Sequence, residues 1–217
     1  MLFDPAIIAL AQQCSPNVEA HSMATLVHTE SSNNPFNIGV VGATLAVAPK
    51  TKAEAMEAAT TLLKSGANFS VGLGQLNIHN LEPLGISLAD AFDPCTNLRG
   101  AATILTACYT RAVAESGEGQ AALQKAYSCY YSNNFNRGFE SDGGTKGSYV
   151  LRIAQNNEKL LQVPGIEFKP EDVPVREKAT DPQPSLPKQS VKALEDLSVP
   201  KEQEAESWDV MKDFTQP

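Results

Sequence analysis

Positive charge is scarce in this 217-residue chain, which carries 17 Lys and Arg residues against 25 Asp and Glu residues. The formal net charge of −8 argues against nucleic acid as a partner, because binding to a phosphate backbone needs a basic surface. Long apolar runs are also missing. No stretch is long enough to cross a bilayer, so we do not expect a membrane-spanning protein.

The beginning of the chain lacks the basic residues that open an export signal. Residues 1–49 contain no Lys or Arg, although residues 5–11 are apolar and end in an Ala-x-Ala pattern. This apolar stretch is short and follows Asp4. We therefore interpret it as the first packed helix of a domain, and an export signal is not evident in this sequence.

Histidines and cysteines are few, three and four respectively, and their spacing matches no paired zinc motif. We predict no metal and no cofactor. The four cysteines are even in number, which favours two disulfides in an oxidising compartment; reduced thiols buried in a helical core are the alternative. Of the three possible pairings we favour Cys108 with Cys129, on adjacent helices, and Cys14 with Cys95.

Apolar residues become rare near residue 164, where the composition of the chain changes. Residues 164–217 are rich in proline and in charged and polar residues, so they cannot bury enough surface to offset chain entropy. We predict a compact domain over residues 1–163 and a Pro-rich, acidic, disordered tail over residues 164–217. Within the tail, residues 207–214 hold the single tryptophan, Trp208, and form either a docking motif for a partner or an apolar patch without function.

The pattern within the domain predicts a mainly α fold. Helices are expected over residues 15–29, 52–65, 94–116, 119–131 and 148–160, from apolar spacing and from capping residues such as Ser15 with Pro16, and Asp93 with Pro94. Residues 36–41 and 69–71 are short and β-branched. They predict a small β-hairpin beside a cleft.

Glu30 stands at the end of an apolar helical segment and is followed by the helix-stopping run Ser31-Ser32-Asn33-Asn34-Pro35. A carboxylate is unfavourable at a helix C-terminus, where the backbone dipole favours cations. A residue that breaks a local rule without compensation often marks a functional site. The alternative is a solvated glutamate at a frayed helix end.

Two further polar segments accompany Glu30. Residues 70–77 (SVGLGQLN) combine two glycines with Gln75 and Asn77, whose amides can recognise sugar hydroxyl or N-acetyl groups. The segment lacks the third glycine and the Lys-Ser/Thr pair of a phosphate-binding loop. Residues 127–136 interleave tyrosines with amides, which suits a carbohydrate, although ordinary packing of tyrosines is an equal alternative.

Together, residues 30–35, 72–77 and 130–134 resemble the three signatures of lytic transglycosylases with the goose-type lysozyme fold. The closer resemblance is to the transglycosylase component of type IV (conjugation-type) secretion systems, supported by residues 37–42, 68–70, 80–81 and 91–98. It covers the chain from about Cys14 to Val163 and implies an α+β, lysozyme-like fold. Asn133 replaces the usual glycine of the third signature; asparagine tolerates a left-handed backbone, so the turn is expected to survive.

The resemblance implies cleavage of the bond between N-acetylmuramic acid and N-acetylglucosamine in peptidoglycan, with 1,6-anhydro products. Glu30 would act first as general acid and then as base, which requires a pKa raised by desolvation. No second acid occurs in the three signatures, so assistance by the substrate's N-acetyl group fits better than a carboxylate pair. The residues implied in binding or orienting the substrate are Ser31, Gly72, Leu73, Gln75, Asn77, Tyr130 and Asn134, with Tyr130 also supporting Glu30.

The same resemblance implies a periplasmic enzyme that opens the wall for a secretion or conjugation apparatus, with other apparatus proteins as partners of the tail. Two alternatives remain open from the sequence. One is a non-catalytic peptidoglycan-binding assembly protein, against which the intact Glu30 argues. The other is a hydrolytic, lysozyme-like muramidase, since the exclusion of water depends on the shape of the cleft.

Overall fold

A computed structural model describes residues 4–141 and 147–160 of the chain, with the side chains of residues 159 and 160 left out. The described part is mostly helical. Its helices are α1 (Pro5–Cys14), α2 (Ala20–Ser31), α3 (Lys52–Lys64), α4 (Ile78–Leu81), α5 (Pro94–Ser116), α6 (Gln120–Ser132) and α7 (Tyr149–Leu160). The predicted tail and its docking motif at residues 207–214 lie outside the described residues.

A three-stranded antiparallel sheet accompanies the helices. It is formed by β1 (Ile38–Val40), β2 (Phe69–Val71) and β3 (Leu76–Asn77), in the order β1-β2-β3. The prediction of a mainly α fold with a small sheet is confirmed, and the first two strands pair as expected, Ile38 opposite Val71. The tight hairpin is the one between β2 and β3, and the sequence analysis missed β3 because it is only two residues long and contains the polar Asn77.

Most helix boundaries agree with the sequence prediction, and the start of α2 does not. Ser15 was expected to cap this helix, but it ends α1, where its backbone N–H donates to Ala11 O at 2.9 Å. Helix α2 begins five residues later, capped by Glu19, whose carboxylate accepts from the backbone N–H groups of His21 and Ser22. The prediction failed because residues 5–14 form a separate helix that uses the Ser-Pro pair as its stop.

The apolar core joins α2, α5, α6 and α7 to the sheet, and two disulfides connect its helices. Cys14 at the end of α1 is bonded to Cys95 at the start of α5, and Cys108 on α5 is bonded to Cys129 on α6. These are the two pairs that the sequence analysis favoured. Within the described ranges, no helix has the length and apolar character needed to span a membrane.

Candidate active site

Glu30 lies in the last turn of α2 and is buried, with 9% of its surface exposed. Helix α7 packs beside α2 and contacts it through polar pairs. Thr25 Oγ1 donates to Asn157 Oδ1 at 3.2 Å, and Asn156 Nδ2 donates to Thr29 Oγ1 at 3.0 Å. These contacts bring the first residue of α7 next to Glu30.

That first residue is Tyr149, to which the sequence analysis gave no role in the site. Its hydroxyl donates a hydrogen bond of 2.5 Å to Glu30 Oε1, although 119 residues separate the two along the chain. This is the only hydrogen bond of the Glu30 carboxyl group within the described residues. A buried tyrosine hydroxyl normally finds a partner, so the signal was present, but the sequence does not say which partner it finds.

Burial raises the pKa of Glu30 from its ordinary value near 4.5 to about 7. Two effects oppose burial and lower this pKa: the hydrogen bond from Tyr149 and the positive charge of Arg152, one turn further along α7. Burial also raises the pKa values of the Tyr130 and Tyr149 hydroxyls well above the usual range, and the Glu30 charge adds to that rise. Near neutral pH the site therefore holds a carboxyl group that can carry a proton, beside tyrosines that keep theirs.

The second signature forms a buried loop between β2 and β3 that is fixed to α5 by Asn97. The Asn97 amide donates to Val71 O at 3.0 Å and Ala91 O at 2.7 Å, and its oxygen accepts from Gly74 N at 2.7 Å. Gly72 has φ +79°, and an added Cβ there would lie 2.1 Å from Asn97 Nδ2. Glycine is thus required at this position by both conformation and space.

Gln75 is the residue of this loop whose side chain retains an unused acceptor. Its Nε2 donates to Gly72 O at 2.8 Å and to Asn37 O at 3.1 Å, while its buried Oε1 has no hydrogen-bond partner among the residues that the structure describes. The residue adopts a left-handed conformation with φ +48°. A free, fixed carbonyl oxygen is suited to accept a hydrogen bond from a substrate amide or hydroxyl.

Leu73 and Asn77 are more deeply enclosed than a substrate contact requires. Each is 1% exposed. Asn77 caps α4 by accepting from His79 N at 3.0 Å, and its amide donates to Asn68 Oδ1 at 2.8 Å. These contacts give Asn77 a role in shaping the loop, and substrate binding by Leu73 and Asn77 stays a prediction.

Tyr130 of the third signature connects this loop to α6. Its hydroxyl donates to Gly74 O at 2.5 Å, so it holds the loop, whereas Tyr149 is the tyrosine that hydrogen-bonds Glu30. The phenol proton is donated to the buried Gly74 carbonyl, so the support of Glu30 by Tyr130 stays a prediction and does not consist of a hydrogen bond donated by this hydroxyl. Tyr130 remains close enough to Glu30 for their charges to interact.

The end of the third signature forms a turn after α6. Asn133 has φ +52°, the left-handed conformation that the sequence analysis expected asparagine to tolerate in this turn. Asn134 Oδ1 accepts from the backbone N–H groups of Asn136 at 2.7 Å and Arg137 at 3.0 Å, which fixes the chain that follows. Ser31, beside Glu30, donates its hydroxyl to Val27 O at 3.0 Å within α2. Direct substrate contacts by Ser31 and Asn134 stay predictions.

Known proteins resemble the chain along most of its described length. Residues 7–138 match the family described as Transglycosylase SLT domain. The type IV secretion system protein virB1 of Brucella abortus (strain 2308) is 41% identical over 169 residues, which cover 76% of this chain and 71% of that protein. Protein virB1 of Agrobacterium fabrum is 29% identical over 164 residues, 75% of this chain and 62% of that protein. No solved structure was found to match the chain.

The family match extends over more than half of the chain and contains all three signatures, from Glu30 to Asn134. The buried acid, the glycine loop and the tyrosine that anchors it all lie within the matched residues. The chain belongs to the transglycosylase SLT domain family and is a peptidoglycan lytic transglycosylase.

Proposed function

We propose that this enzyme cleaves the MurNAc–GlcNAc bond of peptidoglycan to 1,6-anhydro products in the periplasm, with Glu30 as its acid and base. The observation that carries the proposal is the environment of Glu30. The carboxyl group is buried, has a pKa of about 7, and is bound at Oε1 by Tyr149. Because Oε1 is occupied, Oε2 is the oxygen that would exchange protons with the substrate.

The proton returns to Glu30 in the course of one turnover. Protonated Glu30 gives its proton to the glycosidic oxygen as the bond from the muramic acid C1 breaks, and the N-acetyl oxygen of the same sugar compensates the charge at C1. The Glu30 carboxylate then takes the proton of the sugar's 6-hydroxyl as O6 bonds to C1. No water is consumed, and a pKa near the working pH suits a group that acts in both directions.

We also propose that the reaction opens the wall for the assembly of a type IV secretion or conjugation apparatus. The support is the similarity to virB1 proteins, one of which is named as a type IV secretion system protein. Other apparatus proteins would then be the partners of the tail.

The test is mass analysis of the soluble products that the purified protein releases from peptidoglycan sacculi, with Glu30→Gln alongside. Glu30→Gln keeps the size of the side chain and an acceptor for Tyr149 but cannot carry the proton. We expect anhydro-muropeptides from the wild type and at least a thousandfold less product from the variant, since general acid and base roles are combined in one group.

The matched control is Glu57→Gln, which makes the same change at an exposed position of α3. This variant should keep wild-type activity. Products with reducing ends would identify a hydrolase instead, and binding to sacculi without any product would identify an assembly protein. Either result would contradict the proposed reaction.

A further inference from the structure

The ring of Tyr149 is stacked on a second tyrosine that the proposed mechanism does not use. The ring centroids of Tyr131 and Tyr149 lie 4.6 Å apart, and their planes differ by 11°. Tyr131 belongs to α6 and Tyr149 to α7, so the stack joins the two helices beside Glu30. Both residues are buried, with Tyr131 3% and Tyr149 0% exposed.

Two guanidinium groups extend this pair into a column. Arg137 Cζ lies 6.0 Å from the centroid of the Tyr131 ring, and Arg152 Cζ lies 5.6 Å from that of Tyr149. Since each ring already covers one face of the other, the guanidinium groups lie over the outer faces. The order is therefore Arg137, Tyr131, Tyr149, Arg152, with favourable cation–π contacts at both ends.

The column restricts the ring plane of Tyr149, and with it the direction in which the hydroxyl donates, because a phenol O–H bond prefers to lie in the plane of its ring. Rotation about the Cβ–Cγ bond of a tyrosine is soft, so a lone phenol ring has no strong preference for one plane. Stacking against Tyr131 sets the ring plane of Tyr149 and limits tilting of the ring that carries its hydroxyl. The 2.5 Å bond to Glu30 is thus held from α6 as well as from α7.

We propose that Tyr131 and Arg137 are positioning residues of the reaction, which orient the Tyr149 hydroxyl on Glu30 without touching the substrate. The inference rests on the proposed role of Glu30. It adds Tyr131, within the third signature, and Arg137, beyond its end, to the residues that position the proton transfer. Arg137 Nη1 also lies 3.6 Å from Glu140 Oε2.

The groups that face Glu30 determine whether its pKa should rise or fall when the column is disturbed. These are Tyr149 and Arg152 from α7 and Tyr130 from α6. The Tyr149 hydrogen bond lowers the Glu30 pKa, so a loosened Tyr149 should raise it above about 7. Arg152 lowers the same pKa through its charge, which makes its substitution unsuitable as a test of ring position.

The experiment compares Tyr131→Leu with Tyr131→Phe, using Tyr149→Phe as the reference for complete loss of the hydrogen bond. The Glu30 pKa is read from the pH dependence of the carboxyl ¹³C signal in glutamate-labelled protein, assigned by its absence in Glu30→Gln. The values of kcat and KM are measured on a soluble glycan fragment of peptidoglycan.

We expect Tyr131→Leu to raise the Glu30 pKa in the same direction as Tyr149→Phe and to lower kcat about tenfold at nearly constant KM. Tyr131→Phe keeps the ring and should stay close to the wild type in both quantities. Arg137→Gln should raise the Glu30 pKa by less than Tyr131→Leu does. Arg137→Lys, which keeps the charge, should raise it by less than Arg137→Gln does.

A folded Tyr131→Leu with an unchanged Glu30 pKa and kcat would overturn the proposal. If Tyr131→Leu does not fold, the Arg137 pair decides in the same way, because Arg137 is partly exposed and its loss leaves the core intact. The labelled-carboxyl titration needs no activity. It would therefore still report on the column if Glu30→Gln retained activity and the proposed mechanism failed.

Discussion

Glu30 is buried, and few hydrogen bonds from the protein replace the water that its carboxyl group loses. Within the described residues its carboxyl group has one hydrogen bond, and a deeply buried carboxylate with one donor is poorly solvated. At this buried position the neutral form of the Glu30 carboxyl group is therefore favoured over the charged form. This is the arrangement expected of a group that carries a proton near neutral pH.

Glu30→Gln should consequently stabilise the protein in a pH-dependent way. Below the unfolded-state pKa near 4.5 the glutamate is protonated in both states and contributes no difference. As the pH rises from 4.5 to about 7 the unfolded state ionises first, so the wild type loses stability, by on the order of 3 kcal/mol above pH 7. The measurement is the free energy of unfolding in urea at pH 4 and pH 8.

The difference between Glu30→Gln and the wild type should thus grow between these two pH values. The exposed Glu57→Gln should show only a small difference at both. A Glu30→Gln variant that is equally destabilised at pH 4 and pH 8 would mean that Glu30 is ionised in the native state without penalty. That result would contradict the burial argument.

At the residue scale, the sequence identified Glu30, Gly72 and Gln75 because their types and spacing carry chemistry on their own. It missed Tyr149 and gave no role to Asn97. Both act through partners far along the chain: Tyr149 through a glutamate 119 residues away, and Asn97 through backbone groups 23 and 26 residues away. Such pairs are set by the packing of helices, which no local pattern encodes.

At the scale of elements, the β2–β3 loop is held between two helices. Asn97 binds it from α5 through two hydrogen bonds, one to Val71 O and one from Gly74 N, and donates a third to Ala91 O. Tyr130 binds Gly74 from α6. Gly74 needs these external partners because its N–H and C=O groups are buried and the backbone hydrogen bond within the turn, from Gln75 N to Gly72 O, uses neither of them.

Asn97→Ala should therefore destabilise the protein and disable the loop together. The change leaves Gly74 N, Val71 O and Ala91 O without their partner in the core, at a cost of about 3–5 kcal/mol. We expect a clear loss of thermal stability and, at a temperature where the variant is still folded, at least a tenfold loss of activity. Thermal unfolding and product release from sacculi measure the two effects.

Asn17→Ala is the matched control for this change. Asn17 makes one exposed hydrogen bond to Thr106, also on α5, at 2.9 Å. Its loss should change stability by less than about 1 kcal/mol and leave activity intact. Equal effects of the two substitutions would show that Asn97 does not hold the loop.

The elements themselves were largely predictable, and the failures, which are the start of α2, the short strand β3 and the one-turn helix α4, have local causes. Helix α5 begins at Pro94 with Asp93 accepting from Thr96 N at 2.8 Å, as its sequence signal predicts. Ser15 and Pro16 carry an equally good start signal but follow a helix that needs a stop. The short β3 has no periodicity to detect, and it exists because β2 offers it a pairing edge.

At the scale of the whole molecule, the two disulfides close loops of different length. Cys14 and Cys95 are 81 residues apart, and Cys108 and Cys129 are 21 apart. In the chain-entropy account, closing these loops stabilises the fold by about 4.5 and about 3.3 kcal/mol respectively. The first bond joins the end of α1 to the start of α5 and contains no residue of the three signatures, whereas the second ends on α6 one residue before Tyr130.

Replacing each pair by serine should therefore separate stability from activity. We expect Cys14→Ser with Cys95→Ser to lower the free energy of unfolding more, by about 1 kcal/mol, because the longer loop restricts the unfolded chain more. Cys108→Ser with Cys129→Ser should lose more activity while folded, because α6 carries both Tyr130, which holds the loop, and Tyr131, which is stacked on Tyr149. Urea unfolding ranks the two variants by stability, and the product assay at the same temperature ranks them by activity. If the less stable variant is also the less active one, the bond to α6 contributes only to the stability of the fold. If the more stable variant is the less active one, the bond to α6 contributes to the alignment of the site.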